Sequence, residues 1–302
     1  MQILVGKTFG IGNAICAIPM IKALGTLGTV HVLVGDGPDD FGAVDVLKHV
    51  SYVHFIHTNF VEQDIEFDVA IMAIPFDGRW KNGVHYKAKR VMDERPRPDP
   101  STFGFSSWQK HEIEYQMENA YALGYKGDVP SPTFLHNTRV YYPNTVFVGT
   151  GYKKDAAGFW AKKHWGNENY ISLIKKMLED DRSLQIVMAG NSMDLQATMA
   201  PIVRGVSENR LVAHTPTLRR SMELVASCGA YVGNDTGMMH VAAAHGVPTL
   251  VMFMMENAWT KSGPWCDRKI VLKCHEILPS PEEVFTAYKE LRNGRDLPKE
   301  IR

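Results

Sequence analysis

Apolar residues fall in short runs separated by stretches where they recur at helical spacing. Gln2 to Gly6 predicts a strand that begins almost at the first residue. Lys7 to Asn13 reads as a glycine-containing loop, and Ala14 to Leu24 as a helix with Pro19 inside it. A strand at Val30 to Val34, a helix near 42–49 and strands at 51–56 and 68–74 continue the alternation. Trp108 to Leu123 is an amphipathic helix. Gly127 to Asn144 carries Pro130, Pro132 and Pro143 with little periodicity, which marks a domain boundary and predicts domains 1–140 and 141–302.

Past the boundary the same alternation restarts. Thr145 to Val148, Leu184 to Ala189, Leu211 to Ala213, Ala230 to Gly233 and Val247 to Phe253 read as strands. Glu168 to Leu178, Thr217 to Cys228 and 238–245 read as helices, and Pro281 to Leu291 is a helix capped by Ser280, a candidate to pack back across the domains. The tail from Arg292 to Arg302 is charged and is expected to be loose. Strands alternating with helices predict α/β folding with parallel, doubly wound sheets in both halves.

The stretch Val232 to Leu250 organises the second half. It reads as strand end, tight turn, short Ala-rich helix and buried strand, with Asp235 and Thr236 as candidate helix caps and Gly237 permitting close approach of a ligand to the backbone. A helix that opens just past a strand offers free N–H groups and a positive dipole end to an anion.

Length and composition narrow the class. The 302 residues are 45% apolar and 22% charged, enough for two globular domains. Net charge is zero, so no global field draws the chain to nucleic acid or membrane, and an acidic partner needs a local patch. Cys16, Cys228, Cys266 and Cys274 form no Cys-x-x-Cys pair, which argues against a metal knuckle and fits a reducing cytoplasm. Ile11 to Leu24 is interrupted by Asn13, Pro19 and Lys22 and makes a poor signal segment, and no run approaches a membrane span. The expected location is cytoplasmic. His54 and His57 sit on opposite faces of a strand, and no histidine or aspartate group makes a metal site.

One local patch exists. Between Arg79 and Arg97, basic residues Arg79, Lys81, Lys87, Lys89, Arg90, Arg95 and Arg97 outnumber Asp93 and Glu94, with Trp80, His85 and Tyr86 interleaved. This is either a solvated loop or a surface for an anionic acceptor.

The run Asp235-Thr236-Gly237-x-x-His240, with its small-residue helix and Gly246-Val247-Pro248-Thr249, resembles the diphosphate-binding segment of glycosyltransferase family 9, the lipopolysaccharide heptosyltransferases. Lys163-His164-Trp165, the turn from Gly190 to Asp194, and Thr260 with Gly263-Pro264 follow in the family's order, although Met254 replaces a usual glycine. In the first half, Ile11-Gly12-Asn13 and Pro19 match the outline of the family's first loop, with Asn13 where the family has aspartate. The resemblance implies the GT-B architecture: two Rossmann-like doubly wound domains facing a cleft, the donor on the second and the acceptor on the first.

On that resemblance Lys163 meets the donor phosphate and Asp194 the ribose. Asp235, Thr236, Gly237 and His240 form the diphosphate segment. The donor is a nucleoside-diphosphate sugar, and neither metal nor further cofactor is expected. The family's aspartate acts as general base, but Asn13 cannot take up a proton at ordinary pH. Asn13 can still orient the acceptor; the base is then one of Asp36, Asp39, Asp40 and Asp77 on loops after strands, or the acceptor's own acidity reduces the need for one. The acceptor implied by the family is the lipopolysaccharide inner core; the basic, aromatic segment also suits a modified DNA base.

Three other readings stay open. Gly10-Ile11-Gly12 with Asp36 is a partial dinucleotide fingerprint for NAD, with Ile15 at the third glycine position. A non-catalytic nucleotide-sugar binder would explain Asn13. An epimerase of similar two-domain form would need no acceptor.

Overall fold

The computed structural model describes residues 1–6, 10–34, 38–58, 65–72, 86–93, 109–136, 142–151, 159–256 and 258–294. The chain divides into two units, Met1–His136 and Asn137–Arg302.

The first unit is a five-stranded parallel sheet of order β3-β2-β1-β4-β5. Its strands are β1 (Gln2–Gly6), β2 (Thr29–Val34), β3 (Val53–Thr58), β4 (Glu66–Met72) and β5 (Lys87–Asp93). Helix α1 (Ile11–Gly25) buries Ala14 to Ile21, Ala23 and Leu24, and α2 (Pro38–Leu47) and α3 (Glu112–Ala122) pack beside it. Lys22, near the end of α1, donates to the carbonyls of Ser131 at 2.8 Å and Thr133 at 2.7 Å, tying the end of the unit to its first helix.

The second unit is a six-stranded parallel sheet of order β11-β10-β9-β6-β7-β8. Its strands are β6 (Tyr142–Gly149), β7 (Gln185–Ala189), β8 (Leu211–His214), β9 (Cys228–Asn234), β10 (Thr249–Phe253) and β11 (Lys269–Lys273). A 3₁₀ turn (Phe159–Lys163) leads into α4 (Asn167–Asp180). Then come α5 (Ser192–Asp194), a π turn, α6 (Ala200–Val206), α7 (Leu218–Ser227), α8 (Gly237–Ala244), α9 (Ala258–Ser262) and α10 (Pro281–Arg292). One apolar cluster joins β6, β7, β9 and β10 to α4, α6 and α10, so α10 closes the core of this unit. Both sheets have the strand order of doubly wound dinucleotide folds, whose ligands bind beyond the carboxyl ends of the strands where the winding reverses.

Several expectations shift. Of the loop read over 7–13, residues 7–9 lie outside the described residues; Gly10 has a φ of 48°, left-handed and natural to glycine, the chain enters α1 at Ile11, and Asn13 lies in a helical first turn. Part of the basic segment is an edge strand: Lys87, Lys89 and Arg90 are exposed on β5, which pairs with β4. Its pairing comes from a distant partner rather than from an alternating pattern, so no local signal announced it. The short β11 and α9 were likewise not foreseen. Among the described residues no helix is long and apolar enough to cross a membrane.

Candidate functional site: the reversal point of the second sheet

The winding of the second sheet reverses between β6 and β9, which end at Gly149 and Asn234. Gly149 pairs in register with Gly233. A Cβ on Gly233 would lie 2.3 Å from the Gly149 carbonyl oxygen, and one on Gly149 would lie 2.2 Å from Tyr231 Oη. Only glycine fits at both, and the strand ends can therefore close tightly on a buried phenol.

That phenol belongs to a polar network inside an apolar core. Tyr231 Oη donates to the Asn234 carbonyl at 2.9 Å and lies 3.2 Å from Thr236 Oγ1. Tyr170, from α4, lies 2.8 Å from Asn234 Oδ1 and 3.2 Å from the Gly149 carbonyl. Asn234 Nδ2 reaches the carbonyls of Thr150 and Gly151, each at 3.5 Å. Asn234, Tyr170 and Tyr231 are all fully buried. Burial pushes both tyrosine pKa values up, so both stay phenols and keep their protons for donation. Buried polar groups that are fully partnered fix one geometry, and here it is that of the turns after β6 and β9.

Lys163, at the end of the 3₁₀ turn, forms an ion pair with the Asp235 carboxylate and lies 3.5 Å from the Asp235 carbonyl. The side chains are 14% and 8% exposed, so water screens the pair poorly. The next residues anchor it. Trp165 Nε1 donates to the Pro279 carbonyl at 2.9 Å, and the indole meets Tyr170 edge-on at 5.1 Å. His164 lies 3.1 Å from Asn167 Oδ1, and burial lowers its pKa, favouring the neutral ring.

Helix α8 starts directly beyond Asp235. Thr236 is its N-cap residue, with φ −139° and ψ 170°, but its side chain accepts no bond from the helix. This corrects the expectation that Asp235 and Thr236 cap α8: the Asp235 carboxylate faces Lys163, and the Thr236 hydroxyl faces Tyr231. The first N–H groups of the helix thus open next to a largely buried ammonium group. The arrangement suits a dianion that needs hydrogen-bond donors and compact positive charge.

Lys163, Asp235, Thr236 and Gly237 come together here, and His240 follows on α8, 7% exposed. Asp194 lies apart, after β7. Its Oδ2 accepts from Asn191 N at 3.0 Å, and Asn191 Oδ1 accepts from Met193 N at 2.8 Å and Asp194 N at 3.0 Å. A Cβ on Gly151 would lie 3.5 Å from Asp194 Oδ1, so this carboxylate caps α5 beside the turn after β6. Asn13 is half-buried in the first turn of α1. Asp39 and Asp40 fall in α2, while Asp36, Asp77, Arg79, Lys81, Arg95 and Arg97 lie outside the described residues. Among the described residues no cluster of His, Cys, Asp and Glu could hold a metal ion.

Sequence reasoning missed Tyr170, Tyr231 and Asn234. A signal was present: Asn234 ends a strand that is otherwise apolar, and a buried amide requires partners.

Residues 153–288 match the model of glycosyltransferase family 9 (heptosyltransferase). Lipopolysaccharide heptosyltransferase 2 of Salmonella typhimurium and of Escherichia coli are each 32% identical over 101 residues, 32% of this chain and 28% of theirs. The chain thus aligns with 28% of the length of these relatives. In fold, the E. coli ADP-heptose lipopolysaccharide heptosyltransferase II superposes with a TM-score of 0.70 at 15% identity, covering 98% of this chain and all of that one. An E. coli heptosyltransferase solved with ADP gives 0.72 at 16%, covering 96% of this chain and 100% of that one. A family 9 glycosyl transferase from Veillonella parvula gives 0.73 at 14%, covering 97% of each chain. Residues 153–288 thus resemble glycosyltransferase family 9, and the fold, two parallel-sheet domains, matches that of heptosyltransferase structures of the GT-B type.

Proposed function

We propose that this protein transfers a sugar from a nucleoside-diphosphate sugar to an acceptor hydroxyl. The observation that carries the reading is the Lys163 ammonium beside the uncapped start of α8, at the reversal point of a sheet matched to family 9. In the transfer, the bond from the sugar's anomeric carbon to acceptor oxygen forms and the bond to the diphosphate oxygen breaks. Negative charge grows on the departing diphosphate. Lys163 and the N–H groups at Gly237 and Met238 stabilise it in place of a metal ion, and Asp194 binds the donor ribose. Turnover is then unchanged by EDTA, and an absolute requirement for Mg²⁺ would reject that part.

Asn13, a neutral amide, orients the acceptor hydroxyl, and its proton passes to a carboxylate such as Asp36. The acceptor is anionic, drawn by exposed cations such as Lys87 and Arg90 on β5. Transfer to phosphorylated lipopolysaccharide core or to DNA should weaken with added salt, and comparing the two separates the sources.

The test is a binding titration of ADP, UDP, GDP, CDP and NAD on the wild type and on Asp235→Asn. One nucleoside diphosphate should bind tightly and lose affinity in the variant; ADP is the first choice, since a structural relative was solved with it. Binding of NAD alone, indifferent to residue 235, would move the site to the first unit and reject the proposal.

A further inference from the structure

Thr236 is placed to cap α8 and does not. Threonine is a favoured N-cap residue because its oxygen can accept from the helix's first N–H groups. Elsewhere in this unit the device is used in full: Thr217 Oγ1 accepts from Arg220 N at 3.3 Å at the start of α7, and Ser280 Oγ accepts from Glu283 N at 3.3 Å at the start of α10. At α8 the threonine oxygen instead lies 3.2 Å from Tyr231 Oη.

The proton inventory of that contact is fixed. The Asn234 carbonyl is a pure acceptor 2.9 Å from Tyr231 Oη, so the single phenol proton goes there. Toward Thr236 the phenol oxygen therefore accepts, and the threonine hydroxyl donates. Tyr231 is held rigidly while doing so: it is fully buried, stacked on Phe147 at 6.0 Å, and seated over Gly149 where a Cβ would collide with its oxygen.

We propose that Tyr231 is a positioning residue that holds the Thr236 hydroxyl away from its own helix and so keeps the Met238 N–H, one of the two donors a threonine cap would take, open to the donor diphosphate. The inference rests on the reading above, that a diphosphate binds at α8, and names what keeps that place empty of a competing protein oxygen. Tyr231 need not touch the ligand. Its work is to withhold an intramolecular cap that would occupy the same donors.

Two readouts test it. Amide exchange of Met238 and Met239 needs no ligand: in Tyr231→Phe the freed hydroxyl caps the helix, and exchange slows by about tenfold or more at whichever of the two it accepts from. ADP and inorganic pyrophosphate are then titrated against the wild type, Tyr231→Phe, Thr236→Val and the double variant. Tyr231→Phe should weaken both ligands by about five- to tenfold. In the Thr236→Val background, where no hydroxyl is left to cap, the same Tyr231→Phe change should cost nothing further. A merely structural role would weaken binding equally in both backgrounds and leave neither Met238 nor Met239 better protected, and either result overturns the inference. If Lys163→Ala abolishes ADP binding while Tyr231→Phe leaves it intact, the donor site stands and the role of Tyr231 falls. If the wild type binds neither ADP nor pyrophosphate, the parent reading fails and this one with it.

Discussion

The two units share a winding order, yet they bury their polar groups differently. In the second unit the buried polar atoms gather at the carboxyl ends of β6 and β9, as the Tyr170–Asn234–Tyr231 network and the Lys163–Asp235 pair. In the first unit the described buried polar residues are His31 and His57 within the sheet and Glu112 and Gln116 on α3. Gln2 Oε1 accepts from His31 Nε2 at 3.1 Å, which leaves His31 Nδ1 to accept from His57 Nε2 at 3.0 Å. His31 also stacks on Phe55 at 4.5 Å and meets Phe67 edge-on at 5.1 Å. A shared topology provides a place for a ligand in both units, but only the second has a described cluster of charge and open N–H groups there. Winding order names where a site can be; side-chain chemistry decides whether one is built.

The contrast can be broken first at Lys163. Lys163→Ala leaves the Asp235 carboxylate buried and unpaired, which should cost on the order of 3–5 kcal/mol of stability in the second unit and reduce transfer by at least about a hundredfold. Adding Asp235→Ala should restore much of the stability, read by denaturant unfolding, and none of the transfer. Recovery of activity in the double variant would show that the pair is structural only.

Acid should act on the other unit. Burial, then the neighbouring His57 and His54, lowers the His31 pKa from 6.5 to about 4. The folded-state value lies below that of the unfolded chain, so this contribution is complete above about pH 6.5 and is lost as pH falls toward 4. Amide exchange in β1 to β3 at pH 7 and pH 4.5 should show it, and His31→Gln should flatten the profile. An equal acid response in β6 to β9 would mean that His31 is not its source.

The smallest effect is expected at Ser280, whose capping box at α10 lies away from the donor site. Ser280→Ala should lower stability by about 1 kcal/mol and leave ADP affinity unchanged. A loss of affinity would show that the end of α10 is coupled to the site, for instance through Pro279 and Trp165.

Much of the fold was legible because buried parallel strands read as apolar runs and amphipathic helices as 3.6-residue patterns. Strands β1 to β4 and β6 to β10, helices α1 to α4, α7, α8 and α10, and the Asp235-Thr236-Gly237 turn follow from such local signals. The elements that escaped were those with little local signal: β5, with Lys87, Lys89 and Arg90 exposed on a sheet edge, the five-residue β11, and the short helices α5, α6 and α9.

At the site, the sequence by itself determined the residue types: a lysine, an aspartate and a threonine before a helix, in an order that resembles one family. It could not determine their partners. Asp235 and Thr236 are equally good caps on paper, because capping is judged from neighbours along the chain. The tertiary structure brings Lys163 to Asp235 across 72 positions and Tyr231 over Thr236 from the strand beneath. Those contacts outcompete the local ones, since a buried carboxylate favours an ammonium over an amide and a buried phenol must place its hydrogen bonds within reach. The start of α8 is left open by interactions that no spacing in the chain encodes.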